Sequence, residues 1–316
     1  MYYNTYAAYC RRRWGFRVQK LSVDAGFSCP NRDGRLGTGG CTFCSNDAFT
    51  PAYCRRAGSI TTQLDEGIRF HRRGRRSAGH YLAYFQSYTG TYAPLDTLRE
   101  CYETALSHPG VVGLVVGTRP DCVDDEVLDL LASFARQHYV AVEFGIESCY
   151  DRTLALVRRG HDFACTQRSV EAAARRGLPV GGHLILGLPG ESRDDILDEV
   201  ALLNALPLTA LKLHQLQLLH GTEMARRYHD DEAFRRTLLQ FSADEYVALL
   251  CDLLERLRPD FVIERLAGEV PPRYQACPER SFRHPDGRLL RNEEIPALVN
   301  AEFARRATRQ GIKLNL

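Results

Sequence analysis

Three cysteines stand together in one glycine-rich stretch, Cys29-Pro-Asn-Arg-Asp-Gly-Arg-Leu-Gly-Thr-Gly-Gly-Cys41-Thr-Phe-Cys44. Cysteine thiolates are the ligands of soft metal centres. Cys41 and Cys44 at Cys-x-x-Cys spacing bring two thiolates to one centre, while Gly34, Gly37, Gly39 and Gly40 let the backbone fold tightly around a bulky inorganic group. Three thiolates on a four-iron cluster leave one iron open, and an open position is what chemistry at a metal requires; a structural site is usually closed. The competing reading is a zinc site in which Cys54 supplies a fourth thiolate. Iron and acid-labile sulfide analysis separates the two. The chain holds 11 cysteines and no export signal, so metal binding, catalysis or plain burial is expected in preference to a disulfide framework.

A second group of polar residues lies on one expected strand. Glu143, Gly145 and Glu147 are two residues apart, so the alternation of a strand points all three to one face. Acidic side chains inside a barrel are costly unless they pair or bind something. Glu143 suits a structural ion pair, and Glu147, at the strand's C-terminal end, suits a ligand. Lys212 and His214 share a face in the same way; they can reach a substrate or pair with Glu264 or Glu269.

The elements that must position these groups read as repeated βα units. Short apolar runs at Val18 to Val23, Tyr81 to Phe85, Val111 to Val116, Tyr139 to Ile146, Val180 to Leu186 and Ala210 to Leu216 read as strands, with a weaker one at Phe261 to Leu266. Between them, segments near Thr62 to Arg72, Leu95 to Ser107, Asp125 to Gln137, Thr166 to Arg176 and Asp194 to Leu206 carry helical spacing. A later helix, Ala243 to Leu257, opens with Ser242 and Glu245 in capping-box spacing. The expected fold is α/β, a partial (β/α)6 TIM-type barrel with an N-terminal extension over 1–17, the barrel over 18–220 and an α-rich C-terminal cap over 221–316. Polar or glycine-rich turns follow several strands, at the edge where such sheets bind ligands.

Cys-x11-Cys-x-Phe-Cys, with the aromatic Phe43 just before the last cysteine, resembles the cluster loop of the radical S-adenosylmethionine (SAM) superfamily, although the commonest spacing there is shorter. The surrounding Asp24 to Asp33 segment is similar to the YhcC/YtqA-like family, relatives of the radical SAM domain in the Elongator catalytic subunit. The similarity continues through Gln86 to Tyr92, Gly117 to Cys122, Glu143 to Ser148, Arg158 to Asp162, His183 to Glu191 and Lys212 to Thr222. The resemblance implies a 4Fe-4S cluster on Cys29, Cys41 and Cys44 with SAM at the open iron, and a one-electron reductant such as flavodoxin or ferredoxin as partner. It implies SAM contacts from Phe43, from Ser87 and Tyr88 after the second strand, and from Glu147, Arg159, His183 and Gly187. At Ser87 and Tyr88 the chain departs from the superfamily's glycine-rich segment, which leaves backbone carbonyls to make that contact. Arg159 falls where relatives place a basic residue near the SAM carboxylate, and its neighbour Arg158 reads as solvated; His183 also fits a histidine satisfied in the core. Gly187-Leu-Pro-Gly190 lacks the lysine of a phosphate loop.

Charge and composition narrow the remaining classes only slightly. The net charge of +2 announces no nucleic-acid protein. No signal peptide and no window of about 18 apolar residues is present, so a cytoplasmic location with no membrane contact is expected. Kinship to the Elongator subunit suggests tRNA as substrate, with the basic run Arg69 to Arg76 as a source of phosphate contacts or simply a solvated helix end. No room is left for that relative's acetyltransferase domain, so its acetyl-dependent chemistry is not expected. A small-metabolite substrate, and a zinc-stabilised RNA-binding protein without catalysis, are the alternatives.

Overall fold

The computed structural model describes residues 2–56, 58–72, 79–284 and 286–314. Seven strands, β1 (Val18–Val23), β2 (His80–Phe85), β3 (Val111–Thr118), β4 (Tyr139–Glu147), β5 (Val180–Leu186), β6 (Ala210–Gln215) and β7 (Val262–Arg265), form one sheet in sequence order. Each neighbouring pair is parallel. The sheet curls into a half-barrel: β1 and β7 are its two edges, yet Lys20 Nζ of β1 lies 2.6 Å from Glu264 Oε2 of β7 across the lumen.

Strand alternation sorts the side chains into two sets. On β4, Val140, Val142, Phe144 and Ile146 join the main core under the helices, while Tyr139 and Ala141 join a small inner cluster with Val18, Leu82, Tyr84 and Val115. The inner face is thus apolar at the N-terminal end of the strands and polar above, at Glu143 and Glu147. Trp14 packs on that inner cluster and stands edge-on to Tyr139. It closes the helix Tyr6–Trp14, which the Thr5 side chain caps and Gly15, in the left-handed region, ends.

The weak seventh strand candidate is a strand, paired to β6 through Ala210, Leu211 and Lys212. It and the helix Ala243–Arg256 before it fall inside 221–316, so the sheet runs past residue 220. The capping box at Ser242 and Glu245 forms as expected. The first residues also join the sheet: Thr5 bridges Ile263 in parallel, and the Ile263 N–H donates to Asn4 O at 2.8 Å. The segment expected as an N-terminal extension therefore covers the β7 edge. Of the basic run, Arg69 to Arg72 end the helix Ile60–Arg72, where Arg69 pairs with Glu66; residues 73–76 lie outside the described residues.

Candidate active site

The loop after β1 places Cys29, Cys41 and Cys44 on the wall of one cavity at the C-terminal ends of the strands. None of the other cysteines lines it. Backbone bonds shape the loop: Arg32 and Asp33 N–H groups donate to Cys29 O, Leu36 and Gly37 to Pro30 O, and Cys44 to Cys41 O. Gly34 and Gly40 supply the positive φ values these turns require. At Gly40 a Cβ would meet the Arg32 guanidinium at 2.9 Å, and Arg32 in turn donates to Cys44 O at 2.8 Å. Asn31 Nδ2 lies 3.3 Å from Cys41 Sγ, Arg159 Nη1 3.7 Å from the same sulfur and Arg119 Nη1 3.9 Å from Cys29 Sγ. Burial, then the Cys41 thiol, pushes the Cys44 thiol up, while Arg32 and Arg159 pull it down.

Cys54 stands elsewhere: it is buried, its thiol donates to Ser22 O at 3.2 Å, and burial pushes it up to about 12. It supplies no fourth thiolate to the cavity. Three thiols on one wall, with nitrogen donors turned toward the sulfurs, fit an iron–sulfur cluster held at three of its irons.

Beside the thiols, β4 ends in a register shift between Gly145 and Glu147, and Glu147 adopts φ 68°. That turn points Glu147 at Arg159, Oε1 to Nη2 3.4 Å, while Arg159 Nη2 also donates to Gly145 O at 2.8 Å. A Cβ on Gly145 would stand 2.5 Å from Arg159 Nη2 and collide with Glu147 Oε1, so only glycine leaves this pair its place. Arg159 is 7% exposed and its Nε has no partner among the described residues. A buried guanidinium with an unspent donor can bind a carboxylate through two parallel bonds, the chemistry the amino-acid end of SAM offers.

Below the cavity the lumen is filled by charge. Glu143 Oε2 accepts from Lys212 at 2.6 Å and lies 2.8 Å from His183 Nε2, and Lys20 pairs with its other oxygen. Glu264 bridges the same two lysines, and Lys212 also donates to Tyr84 OH at 2.9 Å. Burial alone would raise Glu143, but Lys20 and Lys212 outweigh it and hold the carboxyl well below the usual range. Glu143 is thus the ion pair its sequence position allowed, and Lys212 chooses Glu264; Glu269 pairs with Arg291 instead. His214 is held neutral, by burial first and by Arg265, His183 and Lys212 beside it.

Of the expected site residues, Phe43, Tyr88, Glu147, Arg159 and His183 share the cavity wall with the three cysteines. Ser87 and Gly187 do not line it. The Ser87 hydroxyl turns back to Thr50 Oγ1 at 3.4 Å, and Gly187 lies against Phe241 and Leu239. Tyr88 takes φ 54°, its N–H donating to Asn46 Oδ1, which leaves the ring partly exposed. Arg158 is exposed as expected, but paired with Glu223 at 2.6 Å. Residues the sequence reading left without a role include Asn31, Arg32 and Arg119. All three fall inside the segments that carry the family resemblance, which was the one available signal.

The radical SAM superfamily profile matches residues 33–203, and the Radical SAM C-terminal domain profile matches residues 208–286. The chain is 36% identical over 311 residues to the uncharacterised protein YtqA of Bacillus subtilis, covering 98% of this chain and 92% of that protein. It is 40% identical over 268 residues to the protein YhcC of Escherichia coli, 84% of each chain. A shorter match, 34% identity over 99 residues, links 31% of this chain to 17% of a tRNA uridine(34) acetyltransferase of Methanocaldococcus infernus. In fold it is similar to the archaeal Methanocaldococcus infernus Elp3, with a TM-score of 0.65 at 16% identity over 93% of this chain and 64% of that one. The loop with its three cavity-facing thiols, the curled parallel sheet and these matches agree: the chain belongs to the radical SAM superfamily, within the family of YhcC and YtqA.

Proposed function

We propose that the protein is a cytoplasmic radical SAM enzyme that modifies tRNA, fed by a one-electron reductant such as flavodoxin or ferredoxin. The observation that carries the catalytic part is the shared wall: Cys29, Cys41 and Cys44 face the same cavity as the Glu147–Arg159 pair. When bound, a 4Fe-4S cluster and SAM supply reductive cleavage to methionine and a 5'-deoxyadenosyl radical. The chain's own residues do the rest. Cys29, Cys41 and Cys44 hold the cluster; Arg159 takes the SAM carboxylate and Glu147 the amino group beside it; the β-strand walls keep water from the reacting atoms. His183, its Nε2 engaged by Glu143, offers its other nitrogen as a hydrogen-bonding group at the cavity floor.

Two observations support tRNA. One is the named relative that acts on tRNA uridine. The other is the cavity's wall, where exposed aromatic rings stand beside a guanidinium group. Exposed Phe49 and Tyr88 line the cavity with Arg32, which sits 5.9 Å from the Tyr88 ring centroid, and beyond that lining Arg55 and Arg273 attend Tyr274. Unstacked bases are held by such surfaces, and phosphates by the arginines. The test is anaerobic SAM cleavage by the reconstituted protein with and without bulk tRNA from a deletion strain. RNA is expected to raise 5'-deoxyadenosine release and to bind in a salt-dependent way. No binding at low salt and no stimulation would transfer the reading to a small metabolite.

A further inference from the structure

The thiols of Cys41 and Cys29 are met by nitrogen, and two of these contacts come from Asn31 and Arg119, residues to which no SAM contact is assigned. Asn31 is 5% exposed, and its Nδ2 donates to Arg158 O at 2.9 Å and Arg159 O at 3.1 Å as well as pointing at Cys41 Sγ. Two carbonyl oxygens on that side fix the amide's orientation, because the swapped amide would set oxygen against oxygen. The positive, nitrogen end of the amide therefore faces the sulfur, its two N–H groups shared among three acceptors. The turn that supplies those carbonyls depends on Gly160 at φ 83°, where a Cβ would stand 2.9 Å from Asn31 Oδ1 and 3.2 Å from Arg119 Nη2. Arg119, 2% exposed, reaches Cys29 Sγ with Nη1, while its Nε and Nη2 are taken by the two oxygens of Asp121 at 2.9 and 2.8 Å.

Reducing a cluster adds one electron and so one unit of negative charge to iron and sulfur, with no bond broken. Any N–H or cation near the sulfurs favours the reduced form, and burial strengthens the effect because little water screens it. A carboxylate on the far side of the cation works against it. Resting on the radical SAM reading above, we propose that Asn31 and the Arg119–Asp121 pair are positioning residues that set the cluster's reduction potential. Asn31 and Arg119 raise it, and Asp121 holds Arg119 in place while trimming its charge.

Asn31 and Asp121 predict opposite signs, which a purely structural role would not produce. The full chain is reconstituted anaerobically without SAM, its iron and acid-labile sulfide are measured, and it is titrated with dithionite under EPR. Asn31→Leu removes the donor at similar volume. At a fixed potential its ratio of reduced to oxidised cluster is expected to fall about tenfold, a downward shift of about 59 mV for a one-electron couple. Asp121→Asn leaves the charge of Arg119 uncompensated, and its ratio is expected to rise. Should Asn31→Leu fail to hold a cluster, Asp121→Asn still decides the sign. Unchanged midpoints in the loaded variants, a downward shift in Asp121→Asn, or loss of the cluster from both would overturn the inference. Wild-type protein that takes up no labile sulfide would instead overturn the radical SAM reading, and this inference with it.

Discussion

Gly145 is the residue on which the cofactor wall turns. Any side chain there occupies the space of the Glu147–Arg159 pair. Gly145→Ala is expected to weaken SAM binding about tenfold or more, the size of one charge-assisted hydrogen bond, with cluster content unchanged; equilibrium dialysis with labelled SAM reads it. Behind the same strand end, Glu191 and Glu199 both hydrogen-bond the single hydroxyl of Ser148, at 2.6 and 2.9 Å. A hydroxyl has one proton to give, so it must accept from the other carboxyl, and one of the two glutamates is protonated. Burial, then the charge of Glu191, pushes Glu199 up to about 8, and burial pushes Glu191 to about 7. In the unfolded chain both release their protons near 4.5. Folded-state values raised in this way give stability that is complete at low pH and lost as pH climbs from 4.5 toward about 8. The slope is at most about 1.4 kcal/mol per pH unit for each retained proton. Glu199→Gln is expected to flatten that fall in urea denaturation at pH 5, 6.5 and 8; equal slopes would contradict the shared-proton reading. At this scale the sequence disclosed the residues whose spacing is itself chemical, the three cysteines and Glu147. Asn31 stayed silent because the Arg158 and Arg159 carbonyls that orient its amide lie on another segment, and Arg119 because its sulfur, Cys29, is 90 residues away, so only folding brings these groups together.

Among the elements, strands β2 to β5 were legible as mostly apolar runs, as parallel strands covered on both faces are, and β1 and β6 by alternation, Leu21 and Val23, Leu211 and Leu213 entering the core with polar residues between them. Strand β7 was faint for a physical reason. It has four residues, and Glu264 interrupts the run in order to meet Lys20 and Lys212 in the lumen. The helix Tyr6–Trp14 was not legible at all. It buries only Ala8 and Cys10, so no apolar stripe marks it, and it stands on its cap and on aromatic contacts of Trp14. The helix Ala243–Arg256 is the opposite case, announced by its cap. Ser242 accepts from the Glu245 N–H while the Glu245 carboxylate accepts from the Ser242 N–H at 2.8 Å. Ser242→Ala is expected to destabilise the protein by about 1 kcal/mol, read as a lower denaturation midpoint with cluster content and SAM affinity unchanged. A loss of cluster in that variant would show that this helix does more than support β7.

For the molecule as a whole, the layers of the half-barrel assign the labour. An apolar floor sealed by Trp14 lies below a band of two lysines and two glutamates, and the thiol-lined cavity opens above it. Charges in such a band hold each other in register, so the cavity's polar residues are aimed by the strands. Both ends of the described chain serve the open edge: Gln310 N–H donates to Tyr2 O at 2.9 Å and its side chain to Phe261 O at 3.0 Å, just before β7. Among the described residues no helix is long and apolar enough to cross a membrane. The central claim is that this cavity cleaves SAM on a three-thiolate iron–sulfur cluster, and one anaerobic assay addresses it. The reconstituted chain, reduced with dithionite and given SAM, is predicted to release 5'-deoxyadenosine and methionine in equal amounts, and Cys41→Ala to lose both labile sulfide and product. Tightly held zinc without sulfide, a fully loaded cluster that releases no deoxyadenosine, or an active Cys41→Ala variant would contradict it.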